Sequence, residues 1–399
     1  MTTAIRIEVL PARLGDCLLV ECLRENGRPW RMLVDGGPPD TWPLLKQRLD
    51  RLQADDRAID VAVVTHVDND HIGGMEPFLG SDYAGLVGDF WFNGRTHLPG
   101  TDATRSIDQG EDVVSALLAP SGGQPRPWNT AFRGGPIDTG NPAGVIDVPI
   151  PDGPHITVLS PTNQRLTILA AQWAAVIAQT QHGAERELEP DVPGPLTDLA
   201  ALAAEKAPTD SSVPNGSSIA LLVEHRGASL VLGADAYGDV LGAALKALAT
   251  ARGSQTLTVD AFKLPHHGSK SNVVQSMIAA APARHYLVST NGDTFHHPDD
   301  AAIARVVLHA PPGPTLWFNY RTPRTARWGD PALCERYAYT AVFPDGPDVG
   351  AVLELPARDV GSAAPSAPAS PSTTDHAGTP PVRRTGGGRV RRRRRAGPS

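Results

Sequence analysis

At 399 residues with 41% hydrophobic side chains, the chain can bury a substantial core as one large domain or two smaller ones. Three scattered cysteines, Cys17, Cys22 and Cys334, exclude a disulfide scaffold and a four-cysteine zinc knot. The net charge of −7 is uneven: residues 361–399 hold eight arginines against Asp375, a local +7 that leaves −14 for the remainder.

The N-terminal stretch "MTTAIRIEVLPARLGDCLLVEC" reads as strand and lacks the basic and apolar blocks of a signal peptide. No apolar run reaches about 18 residues, so no membrane span is expected and the expected location is cytoplasmic. Residues 5–10, 17–23 and 31–34 read as early strands. In "WPLLKQRLDRLQADD", Leu44, Leu45, Leu49 and Leu52 recur at helical spacing. "AIDVAVVTH" follows as a buried strand ending on a histidine, an order in which α/β proteins place chemistry at strand ends.

Residues 85–93 predict another strand, and the Gly/Pro-rich 121–154 a loop with a short strand near "GVIDVPI". Trp91, Phe92, Trp128 and Phe132 suit either a core or a pocket wall. After the strand "HITVLSP", two Ala-rich helical stretches broken by "ELEPDVPGP" suggest a helical insertion or lid over 160–214. Further strands are expected in "SSIALLVEHRGASLVLGAD", "LTVDAFKLPHH", "ARHYLVST", "PTLWFNY", "YAYTAVFP" and "AVLELPA", and helices in "VLGAALKALATA" and "PDDAAIARVVLHA". The expected domain is therefore 1–359. Residues 360–399, rich in Ser, Ala, Pro and Arg, cannot bury enough apolar area to offset ordering and are expected to be disordered. Their charge suits contact with nucleic acid or another acidic surface.

Four segments put polar residues at strand ends: His66, Asp68, Asp70 and His71; Asp235; His266 and His267; His296 and His297. A lone His-x-Asp is ordinarily a satisfied turn, and a lone Asp235 ordinarily a helix cap. The co-occurrence of all four points instead to a metal site. Nitrogen and oxygen donors suit zinc, manganese or iron, and a shared carboxylate can bridge two ions roughly 3.5–4 Å apart. Gly36, Gly37, Gly73 and Gly74 are expected to serve tight turns. Lys263, Gly268, Ser269 and Lys270 are candidate anion contacts, with ordinary loop and surface roles as the plain alternative.

"THVDNDHIGG" resembles the His-x-His-x-Asp-His signature of the metallo-β-lactamase superfamily. With "GDCLLVEC", "LVDGG", "LGAD", "HHGSKSN" and a late "HP", the chain is similar to the metallo-hydrolase domain of bacterial DNA-uptake competence proteins and their soluble relatives over about residues 5–300. The resemblance implies a four-layer αββα sandwich and two divalent ions, zinc or manganese. It assigns His66 and Asp68 to the first ion, Asp70 and His71 to the second, and Asp235 to the bridge. Asp35 becomes a support for the ligand loop. His267 is favoured as the last ligand and His297 as proton donor or ligand, roles that remain exchangeable. With Asp70 these form the expected catalytic set, while His266, His296 and Asn215 are supporting groups or alternative ligands.

Two departures stand out. Asp68 occupies a position where many members carry histidine, which favours manganese or weaker zinc binding. The histidine usually found before the bridging aspartate has no counterpart, since that region offers Asn215, Ser217 and Ser218, and His155 and His182 lie in the wrong context. One ion position is therefore expected to be weak. The activity implied is hydrolysis of a phosphodiester by a metal-activated hydroxide, with nucleic acid as a candidate substrate. The alternatives are hydrolysis of a small phosphoester or lactone, and a non-catalytic metal-binding regulatory protein.

Overall fold

Among the described residues, fourteen strands, several of them buried along their whole length, build two sheets. The computed structural model describes residues 2–24, 27–100, 112–118, 120, 123–140, 146–181 and 193–358. The Arg-rich tail and His182 lie outside these residues.

The first sheet contains β1 (Thr3–Val9), β2 (Leu18–Cys22), β3 (Trp30–Val34), β4 (Ile59–Val63), β5 (Val87–Trp91) and β14 (Ala351–Pro356), in the order β14-β1-β2-β3-β4-β5. The second contains β6 (Ile146–Pro149), β7 (His155–Ser160), β8 (Ala220–His225), β9 (Ala228–Leu232), β10 (Val259–Lys263), β11 (Ala283–Val288), β12 (Thr315–Phe318) and β13 (Thr340–Val342), in the order β13-β12-β11-β10-β9-β8-β7-β6. Pairing is parallel across β3-β4-β5 and across β9-β10-β11-β12-β13, and antiparallel elsewhere. "AIDVAVVTH" and "LTVDAFKLPHH" thus become interior parallel strands of different sheets.

Three apolar cores set the layering. Ile5, Ile7, Val20 and Met32 meet Ile156, Leu221, Leu230 and Ala261 between the sheets. On the outer face of the first sheet, Leu45 and Leu49 of the helix Trp42–Asp50 pack with Phe78, Phe90 and Leu166. On the outer face of the second, Leu241, Leu245 and Leu248 of the helix Gly238–Ala251 pack with Phe262, Ile303 and Val306. Each such side chain contributes about 1.5–3 kcal/mol on burial. The result is the expected mixed α/β arrangement of helix, sheet, sheet and helix layers.

The stretch 160–214 carries the helices Asn163–Gln181 and Leu199–Ala203. Leu166, Leu169, Trp173 and Val176 of the first pack into the first sheet's outer core. Leu199 of the second packs into the other outer core. Trp91 is buried between the sheets and Phe92 and Trp128 lie in an outer core, so these aromatic residues are packing rather than a pocket wall. The helix Pro331–Tyr337 had no periodic signal and was not expected.

Two of the glycine expectations are corrected. Gly37 alone of the four has positive φ, at 68°, and serves the turn. Gly36 and Gly74 are needed for close approach: a Cβ on Gly74 would lie 2.1 Å from the Gly36 carbonyl oxygen, and one on Gly36 2.6 Å from the Gly74 carbonyl carbon. This contact clamps the loop after β3 to the loop after β4.

Candidate metal centre

Parallel strands from both sheets deliver the polar residues at their C-terminal ends, where α/β sheets commonly place ligands. Asp35 follows β3 directly, and Thr65 and His66 follow β4. Asp68 precedes a single helical turn, Asn69–Ile72, that carries Asp70 and His71. Asp235 follows β9, His266 and His267 follow β10, and Ser289 follows β11. Strands β4 and β10 themselves stop at Val63 and Lys263, short of the histidines, so the candidate ligands sit on loops and short helical turns.

Asp235 lies at the centre. Its Oδ1 is 3.4 Å from His71 Nε2 and 3.6 Å from His267 Nε2. Its Oδ2 is 4.0 Å from His66 Nε2 and 3.8 Å from His266 Nε2. Asp70 Oδ2 joins the first group at 3.4 Å from His267 Nε2 and 3.8 Å from His71 Nε2. Asp68 Oδ2 joins the second at 3.6 Å from His66 Nε2. The residues read from the signature therefore fall into two groups, one on each oxygen of Asp235.

The opposite ring nitrogens are anchored. His71 Nδ1 is 2.8 Å from Asp35 Oδ2, and His267 Nδ1 is 2.8 Å from the Ser289 carbonyl. Thr65 donates its amide to Asp35 Oδ1 and its hydroxyl to Oδ2, each at 2.7 Å. With its proton so committed, the Thr65 oxygen accepts from His66 Nδ1 at 3.0 Å. The hydrogen-bond network thus puts a proton on each Nδ1 and makes Nε2 the inward-facing nitrogen that an ion would meet.

That arrangement calls for a cation. His71 Nε2 and His267 Nε2 face each other at 3.2 Å, close enough to share a proton or one metal ion. Two nitrogens each about 2.0–2.1 Å from one tetrahedral ion would be separated by about 3.3 Å. His66 Nε2 and Asp235 Oδ1 are buried without a hydrogen-bond partner, as costly a condition as any in the fold unless an ion satisfies them. Asp16, His71, Asp235 and His267 each offer an atom within 4.8 Å of the others. Each oxygen of Asp235 thus faces two imidazole nitrogens and one further carboxylate, a mixed nitrogen and oxygen donor set that fits a divalent ion.

Local charge points the same way. Burial pushes Asp70 up, but His71 and His267 outweigh it and hold the carboxyl at about 2. Burial likewise raises Asp235, and His71, His267 and His266 bring it well below the ordinary range. Burial lowers His71, while Asp235, Asp70 and Asp35 draw it well above its usual value. Buried carboxylates here hold positive charge in place.

Several expected residues have other positions. Lys263 is fully buried and ion-paired to Asp16, which corrects its expected place as an anion contact. Lys270 Nζ is 3.6 Å from Glu205, and its amide donates to Asp299. The Ser269 amide donates to the His266 carbonyl rather than to an incoming anion. Gly268, at φ 87°, fits against Pro298, where a Cβ would approach to 2.7 Å. His297 packs edge to face on His266 at 5.3 Å, outside the two groups, with His296 beside it in left-handed backbone. His155 lies on β7 near Asp147 and Glu224, away from the site.

Two carboxylates were missed. Asp16 has Oδ1 3.6 Å from His267 Nδ1, behind the ligand-facing nitrogen. The signal was an acid in "LGDCLLV", in the turn before a fully buried strand. Asp210 has Oδ2 3.3 Å from His266 Nδ1 and accepts from Asn215 Nδ2 at 2.8 Å and Asn272 Nδ2 at 3.0 Å. Nothing in "APTDSSVPNG" marked it.

The metallo-beta-lactamase superfamily model matches residues 12–87. No curated protein matches the chain. Among solved structures, zinc-bound PqqB from Methylobacterium extorquens is similar at 12% identity and TM-score 0.39, covering 88% of this chain and 100% of PqqB. A mutant of the CmlA beta-hydroxylase is similar at 12% identity and TM-score 0.35, covering 89% of this chain; the chain spans 54% of that enzyme's length. The metallo-beta-lactamase MIM-1 from Novosphingobium pentaromativorans is similar at 13% identity and TM-score 0.28, covering 76% and 89% of the two chains. Among the described residues no helix is long and apolar enough to cross a membrane. The family-model match spans both "LVDGG" and "THVDNDHIGG", and the two-sheet fold around a candidate metal-binding group is consistent with the metallo-beta-lactamase fold.

Proposed function

We propose that this chain is a metal-dependent hydrolase of phosphodiester bonds that uses two divalent ions, zinc or manganese. The observation that carries the reading is the placement of separate imidazole and carboxylate groups on the two oxygens of Asp235. Asp70, His71 and His267 form one cradle, and His66 and Asp68 begin the other. When bound there, divalent ions would bring the pKa of water toward neutrality and offset charge on phosphoryl oxygens. Asp68 in place of a softer imidazole favours hard oxygen donors, which suits manganese and a phosphoryl substrate.

The chain's own residues supply the rest. Asp35 and Ser289 keep the inner imidazoles oriented. His297 Nδ1 is buried without a hydrogen-bond partner, 3.6 Å from Asp299. Burial and the neighbouring His266 and His267 lower its pKa well below the usual value, so it starts neutral. A neutral His297 could accept the proton that the attacking water loses and deliver it to the oxygen that leaves phosphorus.

The test is turnover of bis-p-nitrophenyl phosphate and a short DNA strand by full-length protein loaded with Mn²⁺ or Zn²⁺. Expected are metal-dependent diester cleavage, loss of activity with chelator, and a fall of at least about 100-fold in Asp70→Ala, a ligand change larger than the loss of a supporting group. Cleavage of lactones or phosphomonoesters with inert diesters would overturn the substrate class. Tight metal binding without turnover of any ester would favour the regulatory reading, and no bound metal after reconstitution would overturn the mechanism.

A further inference from the structure

The sequence lacks the histidine that would complete the His66 and Asp68 group, and the matching segment supplies Asn215, Ser217 and Ser218. We infer that His266, oriented by Asp210, takes over as a ligand in that group, so that both histidines of "PHHG" bind metal, one on each side of Asp235. The inference rests on the metal-dependent reading above and extends it to a ligand and a positioning carboxylate.

Backbone geometry is the first support. Adjacent residues in extended chain point to opposite faces. His266 and His267 instead lie consecutively in left-handed conformation, at φ 48°, ψ 52° and φ 53°, ψ 19°. Such conformations disfavour residues with a Cβ and persist where surrounding structure requires them. Their effect is to turn both rings toward Asp235. His267 Nε2 approaches Oδ1 at 3.6 Å, and His266 Nε2 approaches Oδ2 at 3.8 Å, the oxygen that also faces His66.

The second support is the proton arrangement. His266 Nδ1 faces two acceptors, Asn272 Oδ1 at 3.0 Å and Asp210 Oδ2 at 3.3 Å, against one donor, the Asn215 NH₂ at 3.3 Å, which is already committed to Asp210. The amide NH₂ groups of Asn215 and Asn272 both donate to Asp210, which fixes their orientation and makes the Asn272 oxygen an acceptor. Asp210 is itself held by the Ser212 amide, which donates to its Oδ1 at 2.9 Å. His266 therefore keeps its proton on Nδ1, and Nε2 is the ring nitrogen turned toward Asp235. Asp35 does the same for His71. A carboxylate behind the imidazole both orients a ligand and strengthens it as a donor.

Titration of full-length protein with Mn²⁺, followed by electron paramagnetic resonance, tests the inference. Loss of the free-ion signal counts bound ions, and spin exchange reports whether two ions are adjacent. Wild type is expected to bind two exchange-coupled ions. His266→Gln is expected to keep one and lose the coupling. Asp210→Asn is expected to weaken one of the two by about 10–100-fold, and Asp210→Glu to recover part of that loss. Circular dichroism melts establish that each variant is folded; if His266→Gln does not fold, the two Asp210 variants decide. Unchanged stoichiometry and affinity in the folded variants would overturn the inference and leave the hydrolase reading intact. A wild type that binds no Mn²⁺ or Zn²⁺ would overturn both.

Discussion

Asp35 has two oxygens and three donors: the Thr65 amide, the Thr65 hydroxyl and His71 Nδ1. It is fully buried and itself sits at φ 60°, a conformation that aspartate tolerates better than most residues. Its role was legible because "LVDGG" places an acid between a buried strand and two glycines. Thr65, which transmits the same carboxylate to His66, carried no signal, since a threonine before a histidine is ordinary in any strand. Asp16 carried only the mark of an acid before a buried strand and Asp210 none, because each faces a histidine far away in sequence and a single acid in a loop has no pattern. Asp35→Asn keeps the shape but replaces an acceptor by an amide beside a donor. The expected outcome is about 10–100-fold weaker binding of the ion held by His71, together with a stability loss of about 1–3 kcal/mol. Mn²⁺ titration and urea unfolding measure the two effects; an unchanged ion affinity would remove Asp35 from the metal support.

At the scale of elements, the strands were readable because their burial is nearly continuous: every residue of β2 and β3 is buried. Their boundaries were less so: "AIDVAVVTH", residues 58–66, yields only the strand Ile59–Val63, because Val64, Thr65 and His66 already belong to the site loop. The short turn Asn69–Ile72 was hidden by the ligands it carries. It is held from outside its own segment, by the loop 11–16. The Asp16 amide donates to the Asp70 carbonyl at 3.3 Å, and the Ser289 hydroxyl donates to the Gly15 carbonyl at 2.9 Å. Gly15 has no room for a side chain, since a Cβ would lie 1.7 Å from the Asp70 carbonyl oxygen. Gly15→Ala must therefore push the two loops apart, at a cost of about 1–3 kcal/mol for overpacking. The expected result is a folded protein in which the ion held by Asp70 and His71 is weakened more than the other. A thermal melt with Mn²⁺ titration separates this from general unfolding; equal weakening of both ions would show that the two halves move together.

Across the whole molecule, charge is divided between a site-bearing body and the tail. The residues before 361 carry −14, and the tail's eight arginines give the segment +7. A body of that sign repels a polyanion, so the buried centre alone is a poor means of capturing nucleic acid at physiological salt. A small phosphodiester needs no such capture, because the groups on Asp235 would act on a single phosphoryl unit. The tail can therefore affect long substrates without affecting short ones. Comparing the full chain with residues 1–358 on a fluorescent single strand tests this division. With eight arginines, the tail should steepen the dependence of log affinity on log salt by at most about 6, and its removal should leave turnover of bis-p-nitrophenyl phosphate unchanged. Equal salt dependence in the two proteins would mean that the arginines do not touch the strand, and capture would then have to come from the body despite its charge. Loss of small-diester turnover on truncation would instead tie the tail to the metal centre itself.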